Sequence, residues 1–388
     1  LIISSIFFSC TNDDDFSDGY SSIYEDGEEL LTGSLSVKTI SSNAFGKSIP
    51  GLTLQESIKF GSGNSLFTSS WVSVGSTSSI DGLGPTFNAK ACVSCHTKDG
   101  RGKPHTNNQD SNGFLMRISL PGKNSKGGPL GHPTYGKQIQ DQANIGVTYE
   151  AKINSSIQII NGNYPDGTSY QLTKPIYSIV NQQFENIGNV LTSPRVGTQT
   201  IGLGLIDALS EESILENADE FDKNKDGISG RANYVWNELT NSNTIGKFGW
   251  KANQPSLRQQ VADAFIGDMG LTSSIFNEAN CPDPQEDCIN FPNGESPEVT
   301  NLQLDKVVFY QSALAVPKRR NFKDLNVLKG KTLFKNIECI KCHSINYTTG
   351  QSKENSHLEN ININPFSDFL LHDMGDDLAD NRPDFLAN

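Results

Sequence analysis

Apolar residues recur at helical spacing in four segments, and no segment shows a long alternation of apolar and polar positions. Residues 210–222 predict a helix, because Ser210 can cap it, Glu211 and Glu212 fall in its first turn, and Ile214, Leu215 and Ala218 share a face. Residues 255–269 begin on Pro255 and place Leu257, Val261, Ala264 and Phe265 near helical spacing. Residues 302–314 predict a third helix that Pro317 stops, and residues 326–337 a fourth. Between Gly51 and Ile275 the remaining apolar stretches are short and broken by Gly, Pro and Asn, and residues 280–299 read as a Pro- and acid-rich loop. Residues 11–48 are rich in Ser, Asp, Gly and Glu and read as a polar tether. The expected fold is mainly α with long loops.

A chain of 388 residues exceeds one ordinary domain. Its 35 glycines and 17 prolines agree with the loop-rich reading. The formal charge of −13 argues against nucleic acid as a partner, since phosphate binding needs basic stripes, and suits either plain solubility or docking of a basic redox partner. Residues 1–8 are mostly apolar and run into Ser9-Cys10 and then Thr11-Asn12-Asp13-Asp14-Asp15. This resembles the end of a lipoprotein leader whose start is missing, with Cys10 as the lipidated residue and residues 1–10 as the leader remnant. An incidental Cys in an ordinary secretory leader is the alternative. Either reading places the protein in the periplasm or at the cell surface; lipidation anchors it to the outer membrane of a Gram-negative bacterium. The run is too short to cross a bilayer.

Seven cysteines divide by spacing. Apart from Cys10, Cys281 and Cys288 flank a turn-rich hexapeptide that a disulfide can close. The other four form Cys92-Val93-Ser94-Cys95-His96 and Cys339-Ile340-Lys341-Cys342-His343. Two thiols at this spacing can add to the two vinyl groups on one edge of a porphyrin, and the adjacent imidazole then falls beneath the iron. Two covalent haem c groups are therefore expected, with His96 and His343 as iron ligands. A zinc site would have to join the two distant pairs and leave both His residues superfluous. A redox dithiol needs no His directly after it.

The remaining candidates for the far side of each iron are His105, His132, His357, His372, Met116, Met269 and Met374. Met269 and Met374 stand out, each inside an Asp-Met-Gly triplet; core packing is the alternative for both. Asp222, Asn224, Asp226 and Gly227 match the first half of a calcium loop, although Asn233 occupies the position of the usual bidentate Glu. An Asx-rich surface turn is the other reading.

Several motifs occur in order: 82-GLGPTFN-88 before the first Cys pair, 100-GRG-102 after it, Arg195 with 202-GLGLI-206, 226-DGISGR-231, 248-FGWKA-252, 268-DMG-270, 314-LAVP-317 and 370-LLHDMG-375. Over about Gly82 to Asp380 the chain resembles the di-haem oxidoreductases once catalogued as a domain of unknown function, and more distantly the bacterial di-haem cytochrome c peroxidases. The resemblance implies a surface or periplasmic enzyme with one electron-transfer haem and one reactive haem, acting on hydrogen peroxide or another small substrate and fed by a redox protein or small donor. It also implies two cytochrome c-like domains, here residues 49–316, with the calcium-like and disulfide loops, and residues 317–388. The family's later Trp-Arg-Thr and His-Asp-Gly-Arg segments do not appear, so the second domain reads as incomplete. Trp250 is a candidate electron relay or a core Trp, and Arg101 and Arg231 are candidates for a haem propionate or developing charge. A pure electron carrier and a surface lipoprotein partner in iron or metal acquisition are the competing functions.

Overall fold

The computed structural model describes residues 23–75, 80–106, 112–292, 294–344 and 346–387. Cys10 and the start of the expected tether lie outside them. Helix makes up 23% and strand 21%, with eight α-helices and several small sheets among the described residues. The expectation of a mainly α fold of cytochrome c-like domains is thereby corrected. Much of the unexpected strand lies in one hairpin, in which Lys152–Asn163 pairs antiparallel with Ser169–Val180. Most of its positions on both faces are exposed, so no buried face imposes an apolar alternation. Its signal is instead two β-branched runs around Tyr164-Pro165-Asp166-Gly167, where the Asp166 carboxylate accepts the Thr168 N–H at 2.8 Å.

The four expected helices appear with shifted ends. The first shrinks to Glu211–Leu215, capped by Ser210. Leu257–Met269 is capped by Ser256 and ends on left-handed Gly270. Asn301–Ser312 starts with a Thr300–Gln303 capping box, and Leu325–Asn336 with Asp324 as its cap. The pattern missed Leu54–Thr68, the longest helix among the described residues, because small and polar residues dilute its apolar face. The Thr53–Glu56 capping box was its legible sign.

Leu54–Thr68 packs against Asn301–Ser312 at Gly63, where a Cβ would lie 2.1 Å from the Lys306 carbonyl oxygen and 2.6 Å from Tyr310 Cβ. This close approach buries Phe67, Val307, Val308 and Tyr310 in a core completed by Trp71, Phe87, Phe265 and Met269, with Cys92 and Val93 packed against it. A second core joins Leu35, Ile49, Leu205 and Phe309 to Tyr347, Leu358 and Ile363, and so spans both sides of residue 316. Residues 23–48 supply Leu35 to it, and Val37 donates its N–H to the Val316 carbonyl at 3.2 Å. A third core lies under the sheet in which Phe114–Lys123 runs between Pro129–Leu130 and Leu191–Val196, and holds Met116, Ile118, Tyr135 and Ile139.

Candidate functional site

Cys92–Cys95 forms a single helical turn, and His96 closes it by donating its N–H to the Cys92 carbonyl at 2.9 Å. The His96 ring is then held from outside the motif, with Nδ1 2.6 Å from the carbonyl oxygen of Thr198. A carbonyl only accepts, so Nδ1 carries the proton and the Nε2 lone pair stays free for a metal. Phe67 packs over the same ring at 6.2 Å. Around the second motif the sequence repeats the device. Cys339–Lys341 makes a tight turn, the His343 N–H reaches the Cys339 carbonyl at 2.9 Å, and His343 Nδ1 stands 3.0 Å from the Phe366 carbonyl oxygen. Phe334 lies 5.9 Å from the His343 ring. Each Phe follows a glycine by four residues, Gly63 before Phe67 and Gly330 before Phe334.

Two histidines with one tautomer, each next to a thiol pair, are what two iron ligands require. A profile of the family described as "di-haem oxidoreductase, putative peroxidase" matches residues 27–388. The chain belongs to the di-haem oxidoreductase family. Neither the curated proteins nor the solved structures contain a match.

The residues fit the haem groups that the family implies. Cys92 and Cys95 are free thiols, and burial, reinforced by the nearby Asp268 carboxylate, pushes both up to about 12. That is the reverse of the lowered value a thiol nucleophile or redox dithiol needs, while thioether formation removes the ionisable proton altogether. Beside them Trp71 Nε1–H is buried with no partner, an orphan donor in the core that carries Cys92. In this di-haem oxidoreductase the two separated glycine motifs also meet: Gly84 donates its N–H to the Met269 carbonyl at 3.0 Å, and a Cβ on Gly84 would fall 2.5 Å from Gly270 Cα.

The structure separates the two Asp-Met-Gly triplets. Met269 is buried in the first core, whereas Met374 is 66% exposed. At the second motif His372 stands close by, with Nδ1 3.9 Å from Cys342 Sγ and Nε2 2.7 Å from the Asp368 carboxylate, which raises its pKa. His105 Nδ1 meets Ser155 Oγ at 2.7 Å, His132 Nδ1 accepts the Thr134 N–H at 3.0 Å, and His357 faces Glu56 at 3.2 Å. Met116 lies in the third core.

In the calcium-like loop the Asp222 carboxylate accepts the Asp226 N–H at 2.9 Å, the Asn224 side chain accepts the same N–H, and the Asp226 carboxylate pairs with Lys341 at 3.3 Å. Among the described residues no group of three His, Cys, Asp or Glu is placed to hold a metal ion. The Asp226–Lys341 pair ties residues 222–227 to the second Cys motif. Trp250 is 52% exposed, donates Nε1–H to the Val196 carbonyl at 2.8 Å, and lies beneath the Arg101 guanidinium at 5.6 Å. It therefore sits at the surface, one peptide from Gly197, which packs against the His96 ring. Arg231 donates to the Leu386 carbonyl at 3.0 Å.

Cys281 and Cys288 are joined in a disulfide, and the loop they close delivers Gln285, fully buried, to Glu150. Gln285 Nε2 donates to Glu150 at 2.7 Å, and burial pushes that carboxyl up to about 8. Sequence reasoning also missed Asp99, whose carboxylate accepts the buried Tyr310 hydroxyl at 2.6 Å just beyond His96. These pairs join residues far apart in the chain, and no local pattern marks them.

Proposed function

We propose that this di-haem oxidoreductase is an extracytoplasmic c-type enzyme of peroxidase type, with one haem bonded to Cys92 and Cys95 and the other to Cys339 and Cys342. The single observation that carries this is the repeated hold on His96 and His343: a backbone carbonyl takes the Nδ1 proton in each, directly after a thiol pair. The Cys281–Cys288 disulfide supports an oxidising compartment, where c-type haems are also attached. When bound, the haems supply one-electron chemistry and the reduction of peroxide. The chain's part is to hold and insulate. Thr198 and Phe366 fix ring orientation and raise imidazole basicity. The apolar core around Phe67, Phe87 and Met269 keeps water from the first site, which favours the less charged iron state. Exposed Trp250, with Arg101 over its ring, offers an external electron partner a docking point near the first site.

The test is the mass of the denatured protein after expression with haem-attachment machinery, followed by peroxide turnover with a reduced donor. Two haem masses and donor oxidation are expected. The bare polypeptide mass would overturn the reading, and two haems inert to peroxide would leave an electron carrier.

A further inference from the structure

Three arginines and a lysine converge beside the first motif. Arg117 on Phe114–Lys123 and Arg195 on Leu191–Val196 sit on paired strands. The residues flanking those strands, Gly113 and Gly197, pack against Cys95 and His96. Asp384 is the hub: one carboxylate oxygen accepts Arg195 Nη2 at 3.0 Å and Arg382 Nη1 at 2.7 Å. Lys251 Nζ donates to the Arg382 carbonyl at 2.7 Å and pairs with Asp380. Arg117 has Asp263 at 3.6 Å. Four cations thus share the carboxylates of Asp263, Asp380 and Asp384, while nearby Asp268 is engaged by Gln138 at 3.0 Å.

The donors outnumber their acceptors. A guanidinium offers five N–H groups in a rigid fork. Arg195 uses its fork on Ser193 and Asp384, and Arg382 on Asp384 alone. Arg382 is 2% exposed, and its Nε–H is buried without a partner among the described residues. Among the described residues Arg117 makes no bond shorter than its 3.6 Å ion pair, and its side chain keeps 24% of its surface open. Buried cations with unfilled donors are costly unless an anion completes them, and the planar fork suits a carboxylate best. From Gly113 to Arg117 the strand advances about 14 Å at ~3.4 Å per residue. That matches the scale of a porphyrin from its thioether edge to the two carboxylate arms on the opposite edge.

We propose that Arg117, Arg195 and Arg382 form the binding site for the propionate carboxylates of the first haem. This rests on the reading that Cys92 and Cys95 hold a haem. The forks keep both propionates ionised and offset their charge. Arg382 and Asp384 come from beyond the second Cys motif, so the first cofactor is also a bracket that holds the segment after His372 in place.

The test uses the full chain matured with both haems, as Arg117→Gln and the charge-preserving Arg117→Lys and Arg382→Lys. Covalent haem is counted by pyridine haemochrome, each haem is titrated by optical redox potentiometry, and propionate bending bands are followed by resonance Raman. In Arg117→Gln the oxidised-to-reduced ratio of the first haem at the unmodified midpoint should rise on the order of tenfold. The second haem should not move, and a propionate band should shift in all three variants. If Arg117→Gln does not fold, the Lys variants decide through the band shift. Two haems with an unmoved first midpoint and unmoved bands would overturn the proposal. An unmodified chain without two haems would sink the haem reading itself, which keeps the two failures apart.

Discussion

The two Cys-x-x-Cys-His regions share a local design and differ in what surrounds it. At the first, Gly63 brings Leu54–Thr68 onto Asn301–Ser312, Tyr310 is buried against Phe67 and Asp99, and His96 is partly covered. At the second, Gly330 occupies the same place before Phe334, yet a Cβ there would meet nothing within 4 Å, and Leu333, Ile337 and Ile340 are exposed. His343 is exposed as well. The comparison teaches that five residues and one carbonyl suffice to set the imidazole, while the dielectric and charge around it come from elsewhere in the chain. On the proposed function, two haems held alike are therefore expected to differ in potential.

The largest effect should come from removing thiols. Cys92→Ala with Cys95→Ala should lose one haem mass and lower Tm by several degrees, because Cys92 packs against the main core; the same change at Cys339 and Cys342 should lose one haem mass with a smaller drop in Tm. Equal drops in Tm would erase the contrast.

Next come the paired glycines. Gly63→Ala should destabilise by about 1–3 kcal/mol in urea unfolding, since its Cβ meets backbone on the facing helix, whereas Gly330→Ala should stabilise by up to about 1 kcal/mol through helix propensity alone. A loss at Gly330 as large as at Gly63 would show that its open face is covered in solution.

Tyr310→Phe leaves Asp99 buried without its hydroxyl donor and should cost about 1–3 kcal/mol, read by the same unfolding curves. Asp368→Asn at the second site keeps a partner for His372 and should cost less than about 1 kcal/mol near pH 8.

The smallest effect is in the pH profile. Glu150 is raised in the folded state to about 8, so its contribution is complete below the ordinary carboxyl range and is lost as pH rises toward 8. His372 is also raised by Asp368, and its contribution is present below about 6.5 and lost above. Glu150→Gln should flatten the decline in Tm between about pH 5 and 8, where one proton corresponds to about 1.4 kcal/mol per pH unit. His372→Asn should alter only the part above about 6.5. An unchanged profile in both variants would place the titration elsewhere.

Both Cys-x-x-Cys-His motifs, the cap at Ser210 and the loop between Cys281 and Cys288 were legible because each acts within a few residues, where spacing alone sets geometry. The strand content was not, because an exposed hairpin has no buried face to impose a period, and neither was the difference between Met269 and Met374, which share a triplet but not an environment. Burial, charge balance and the orphan donor on Arg382 arise only when residues from distant parts of the chain meet. The sequence by itself thus determined where the two thiol pairs and their adjacent imidazoles lie, at Cys92–His96 and Cys339–His343. Only the tertiary structure decided how those two alike sites differ, since desolvation and long-range charge depend on what is packed nearby, not on what is adjacent in sequence.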